Sequence, residues 1–138
     1  MPIVNDGSIP DDTILLRVLI PGWTCTVDGR YRPQSLAFRD GVTGDVSCFI
    51  QAEGVEAEVR RMYPNHEIAA VTAGAVRESG YAIQRRPGEC PGFNGDPNMH
   101  VVIGSPNQIG KKEKERCSRK IAEHDTTRVL PRQPALNH

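Results

Sequence analysis

Apolar and polar positions change period along this chain, and each change marks an element. Residues 13–20 are β-branched or aliphatic apart from Arg17, and Pro21-Gly22 stops them, which predicts a largely buried strand. Trp23-Thr24-Cys25-Thr26-Val27 alternates, Asp28-Gly29 supplies two positive-φ positions, and Arg30-Tyr31-Arg32 returns, so a two-residue β-hairpin is expected. After the break at Pro33-Gln34-Ser35, Leu36-Ala37-Phe38 reads as a short extended piece. Residues 44–50 read as another strand, with Val46, Cys48 and Ile50 on one face and Ser47 and Phe49 on the other. The period then becomes helical. Val55, Val59 and Met62 share one face against Glu56, Glu58, Arg60 and Arg61, predicting a helix over 55–63 that Pro64-Asn65 ends.

Residues 68–77 form a small-residue extended run that 80–84 continues. Residues 87–98 hold three prolines and three glycines, which predicts a long irregular loop of the kind that carries function. His100-Val101-Val102-Ile103-Gly104 is the last strand expected, and Ser105-Pro106 then offers an N-cap to a helix over 107–124 with a narrow stripe of Ile109, Cys117, Ile121 and Ala122. The polar composition of 1–12 and the prolines after Thr126 predict a flexible arm and a flexible tail (125–138) around a single domain at 13–124. The fold class is α+β: an antiparallel or mixed sheet of about five to six strands, with two helices covering one face.

Composition narrows the function classes. At 138 residues the chain buries enough surface for a core without disulfides or metal. The longest apolar runs are far short of a membrane span, so a soluble, cytoplasmic protein with no membrane partner is expected. Cys25, Cys48, Cys90 and Cys117 are widely spaced, lack the paired spacing of a zinc site and are expected to be free thiols. Lys+Arg and Asp+Glu cancel at 17 each, which argues against nucleic acid as a principal partner. The cancellation hides a pattern. Residues 1–16 carry Asp6, Asp11 and Asp12 with no base, whereas eight bases face four acids from Ser105 onward. Such a tail suits an anionic partner or, equally, a solvated helix face.

Three constellations carry candidate chemistry. Arg17 interrupts an apolar strand, where burial is costly unless a carboxylate, phosphate or carbonyl meets the guanidinium. With Arg30, Arg32 and Ser35 it reads as an anion or phosphate clamp, or else as an arginine on the solvent side of its strand or paired to an internal acid. Cys90, Asp96 and His100 cluster at the loop-to-strand junction, where Cys90 is a candidate nucleophile and His100 a candidate base or loop tie. The strand-to-helix step at Gly104-Ser105-Pro106-Asn107 offers amides to an anion but lacks a dinucleotide or P-loop fingerprint.

Leu15-Leu16-Arg17, Arg32-Pro33-Gln34-Ser35-Leu36-Ala37-Phe38 and His100-Val101-Val102-Ile103-Gly104 carry a resemblance. The chain resembles a group of small uncharacterised bacterial proteins with an R-P-x-S-x-x-F segment and a late H-x-x-x-G strand, across roughly residues 13–122. The resemblance implies a bacterial origin and a single α+β domain. More distantly, an arginine on strand one, a serine beyond it and a polar residue on a late strand are similar to the site of ADP-ribosyltransferases; the chain departs from that pattern at the glutamate, since Glu78 falls in a turn and Glu89 in the loop. The leading expectation is a non-enzymatic binding or accessory module for an anionic ligand or a protein partner, using Arg17, Arg32, Ser35 and His100, with no cofactor and no metal. The alternative is a small nucleotide-using enzyme with NAD as cofactor, in which Arg17 grips a phosphate, Ser35 orients a ribose and His100 assists. A weaker alternative places nucleic acid on the basic C-terminal helix.

Overall fold

A computed structural model describes residues 3–39 and 46–132. In chain order the elements are β1 (Ile14–Leu19), β2 (Thr24–Val27), β3 (Arg30–Pro33), a 3-10 turn (Ser35–Phe38), β4 (Val46–Ile50), α1 (Val55–Met62), β5 (Glu67–Thr72), α2 (Ala73–Glu78), β6 (Ala82–Arg85), a 3-10 turn (Pro97–Met99), β7 (His100–Gly104), α3 (Lys111–Glu123) and β8 (Arg128–Leu130). Six strands form one sheet in the order β6-β7-β4-β1-β5-β8, every neighbouring pair antiparallel, and β2 and β3 form a separate ribbon. The fold is therefore α+β, as the sequence predicts.

Both faces of the sheet are covered, not one. Leu15, Leu19, Cys48, Ile50, Val71, Ile83, Val101 and Ile103 pack with Phe38, Val76, Cys117 and Ile121 on the first face. Leu16, Phe49, Ile68 and Ala70 pack with Val55 and Val59 of α1 on the second. Alternation along β1, with Leu15 opposite Ile50 and Leu16 opposite Phe49, divides the strand between the two layers. The uninterrupted apolar run of β1 is the signature of such a two-sided strand.

The hairpin forms as expected, because Asp28 (φ 52°) and Gly29 (φ 77°) adopt the left-handed pair of a type I′ turn. Elsewhere local hydrogen bonds overrule the pattern. Residues 36–38 are not extended: the Gln34 carbonyl accepts from the Ala37 amide at 3.0 Å, closing a 3-10 turn that buries Ala37 and Phe38. Residues 73–78 are a third helix, because Thr72 Oγ1 accepts from the Ala75 amide at 3.1 Å as an N-cap and Gly80, at φ 104°, turns the chain beyond its end. The last helix starts after Gly110 and not at Ser105, whose hydroxyl instead accepts locally from the Asn107 amide at 3.1 Å.

The segments expected to be loose are also fastened where they are described. Ile3 and Ile9 are buried, the Asp6 amide donates to the Ile83 carbonyl at 2.7 Å, and the Asp6 carboxylate meets Arg85 at 3.1 Å. Asn5 and Asp6 thus lie beside β6, and Ile9 and Asp11 are held to α2, where Arg77 Nη1 donates to the Ile9 carbonyl and the Asp11 carboxylate at 2.7 Å each. Beyond α3, β8 adds a strand beside β5, and Thr127 is buried with its hydroxyl on the Ile121 carbonyl. Residues 133–138 of the expected tail, and the Gly44-Asp45 start expected for β4, lie outside the described residues. Among the described residues no helix is long and apolar enough to cross a membrane.

Candidate functional site

Arg17 is turned inward. Leu15 and Leu19 fix the parity of β1, so Arg17, two positions from each, points into the first layer. Its Nε donates to the Ala37 carbonyl at 2.9 Å and its Nη1 to the Ser47 carbonyl at 3.1 Å, while its guanidinium carbon sits 5.2 Å from the centre of the Trp23 ring. Burial lowers the guanidinium's pKa from its ordinary value. The partners that offset desolvation are backbone carbonyls from the 3-10 turn and β4. Arg17 therefore ties the segment after the hairpin to the sheet.

The neighbouring arginines serve the same platform. Arg30 Nη2 donates to the carbonyls of His124 (2.8 Å) and Thr127 (2.6 Å), holding the end of α3 to the hairpin. Tyr31 bridges Thr24 Oγ1 at 2.9 Å and Glu67 Oε1 at 2.7 Å, tying the other side of the hairpin to β5. Arg32 is half-buried opposite Cys25 and reaches the Pro33 carbonyl at 3.4 Å, and Ser35 opens the 3-10 turn, also half-buried. Ser118 Oγ donates to the Phe38 carbonyl at 2.9 Å and secures that turn beneath α3.

His100 lies elsewhere. It pairs with Phe49, which pairs with Leu16, so it belongs to the second face while Arg17 belongs to the first. The four residues singled out from sequence are not brought together: Arg17, Arg32 and Ser35 belong to the hairpin side and His100 to the opposite side of the sheet. A nucleotide gripped by Arg17 and assisted by His100 would have to pass through the sheet.

Sequence reading missed His100's partner. Ser47 Oγ lies 2.6 Å from His100 Nε2, and His100 Nδ1 lies 2.8 Å from the Arg86 carbonyl. Since a carbonyl only accepts, Nδ1 carries the proton of the neutral ring, and Nε2 is left to accept from the Ser47 hydroxyl. Alternation had placed Ser47 on the Phe49 face; what a single strand does not reveal is that β4 and β7 pair antiparallel with Ser47 opposite Val102. The other members of the junction cluster are employed separately. Asp96 Oδ1 accepts from the Asn98 amide at 2.9 Å, and half-buried Cys90 packs with Phe93 and Met99 against the second layer. No group of three His, Cys, Asp or Glu side chains among the described residues is placed to hold a metal ion.

All four cysteines are free. Burial pushes the Cys48 thiol up to about 11, and burial also raises Cys117 and Cys90. A thiol reacts as its thiolate, so native protein alkylated at pH 8 should be modified at half-buried Cys25 first, with Cys48 and Cys117 protected until unfolding. Peptide mass spectrometry checks the order; Cys48 labelled as fast as Cys25 would contradict this packing.

The exposed apolar surface is uneven. Of the five large hydrophobic side chains exposed among the described residues, Ile20 (46%), Val27 (42%), Tyr31 (47%) and Leu36 (42%) fall between positions 20 and 36, and Val4 is the fifth. α3 packs against the 3-10 turn and β3, and it presents Lys111, Lys112, Arg119 and Lys120 to solvent. The register of the ribbon, with Thr26 opposite Tyr31 and Val27 opposite Arg30, puts Val27 and Tyr31 on its two faces, so the exposed apolar side chains lie along one stretch of chain on both sides of the hairpin. The chain matches no protein-family model, no curated protein and no solved structure.

Proposed function

We propose that the chain is a binding module that engages a protein partner through the hairpin, the 3-10 turn and the adjoining face of α3. The observation that carries this reading is the concentration of exposed apolar side chains at Ile20, Val27, Tyr31 and Leu36 on a segment that is otherwise firmly held. Isolated surface hydrophobes are ordinary, whereas four of the five exposed among the described residues on one stretch of chain mark that stretch as apolar surface a partner can cover. Arg17, Arg30 and Tyr31 fasten the segment to the body, so little ordering is lost on association. The basic side chains of α3 favour a partner whose apolar contact is flanked by carboxylates.

This reading keeps the protein-partner half of the expectation and moves its surface. Arg17 gives two of its donors to carbonyls of its own chain, which leaves the anion-clamp version without geometric support. The test is a double charge substitution, Val27→Asp with Leu36→Asp. Both side chains are exposed, so the fold should be unaffected, whereas partner affinity should fall about 30-fold, equivalent to about 2 kcal/mol at an interface centre. Undiminished partner binding by the folded double variant would remove the basis of the proposal.

A further inference from the structure

The Ser47 and His100 pair has a chemistry that partner binding does not use, and it lies on the other face of the sheet. We propose that Ser47 is an activated hydroxyl that accepts an acyl group from small apolar esters, with His100 as its general base. Three observations converge. The Ser47 hydroxyl is 2.6 Å from Nε2, within the reach of a nucleophile and its base. The ring is held in the required tautomer by the Arg86 carbonyl, 2.8 Å from Nδ1, so a third group orients the base. His100 is buried while Ser47 is partly exposed, so solvent reaches residue 47 while the base is shielded from it.

The surroundings define the class of acyl group. Phe49 stands two residues along β4 on the face of Ser47, its ring centre 5.4 Å from that of His100 and 5.0 Å from that of Phe93. Met99 is partly buried in the same layer. These neighbours make the surroundings of the pair apolar, which favours an uncharged alkyl or aryl acyl chain over a charged one.

In the step itself, Ser47 Oγ forms a bond to the ester carbonyl carbon and its proton passes to His100 Nε2. Collapse of the tetrahedral intermediate breaks the bond to the leaving oxygen. That oxygen departs as a phenol or alcohol after taking the proton from His100, which regenerates the neutral ring. No oxidant or further reactant is needed, and the product is an acyl ester on Ser47.

The experiment treats the full chain with p-nitrophenyl butyrate, follows nitrophenolate release and maps the butyryl group by peptide mass spectrometry. One equivalent is expected on Ser47. His100→Gln should slow its formation about 100-fold, the usual contribution of a positioned base, while circular dichroism shows the fold retained. A second measurement does not depend on that variant folding: wild-type protein treated with the ester while unfolded in urea should form no Ser47 adduct, because the pair exists only in the folded sheet. Butyryl groups found only on lysines, or equal rates at Ser47 with and without His100 or in urea, would overturn the assignment. Partner binding through Val27 and Leu36 is measured separately, so either proposal can fail without the other.

Discussion

Arg17→Ala loses about 4 kcal/mol of unfolding free energy, seen in urea as a lower midpoint with an unchanged slope. The size follows from what the guanidinium holds. Its Nε and Nη1 donate to the Ala37 and Ser47 carbonyls, and truncation leaves both acceptors without that donor. Each orphaned buried group costs about 1–3 kcal/mol, and contact with the Trp23 ring adds about 0.5–1 kcal/mol. Domains of this kind are stable by only about 5–15 kcal/mol in total, so the loss is large. Arg17→Lys should recover less than half of it, since a single ammonium lacks the planar fork that spans two carbonyls. An arginine waiting for an anion would behave differently: its removal would leave stability nearly unchanged and abolish ligand binding. Denaturant titration of the two variants separates these outcomes.

Phe38→Ala should cost about 3–5 kcal/mol, the usual range for truncating a fully buried phenylalanine. Phe38 has no exposed surface and sits in the first-face core with Ala37, Cys117 and Ile121. It is also where the 3-10 turn is pinned to α3, through Ser118 on its carbonyl. The lost side chain therefore empties a cavity at the junction of turn, helix and sheet. Calorimetry measures the effect; a shift in Tm of a degree or less would mean that the turn does not hold α3 down. Leu36 is adjacent but exposed, and Leu36→Ala should leave stability nearly unchanged.

The elements that were legible in the sequence are those whose signal is local and strong. β1 announced itself as an apolar run, the hairpin through Asp28-Gly29, and α1 through Val55, Val59 and Met62. Where two local readings compete, tertiary context decided. Ala73 to Arg77 reads as extended because small residues fit beside a sheet, but the Thr72 cap makes the same residues helical. Ser105-Pro106 has the chemistry of a helix start, yet its hydroxyl closes a turn five residues before α3 begins after Gly110. β8 was invisible because three residues carry no period, and only pairing with Ile68, Ala69 and Ala70 makes them a strand.

The candidate site was legible in part for the same reason. Arg17 stood out because a charge within an apolar strand needs partners, but which partners depends on the parity of β1 and on where the chain returns at Ala37 and Ser47. His100 was noted without its serine, since the two are 53 positions apart and meet only through the pairing of β4 with β7. That Val27, Tyr31 and Leu36 are each exposed could not be read at all. Apolar residues on a hairpin are expected to face inward, and only the docking of that ribbon shows which remain outside.

The central claim is that the hairpin and 3-10 turn form the surface a protein partner contacts. Photo-crosslinking tests it most directly, with a photoreactive amino acid placed singly at Val27, at Leu36 and, as a control, at exposed Glu53 beside α1. In cells that produce the chain, one covalent adduct of the same mass should form from positions 27 and 36 and be absent from 53. Adduct formation from position 53 alone, or equally from all three, would contradict the account.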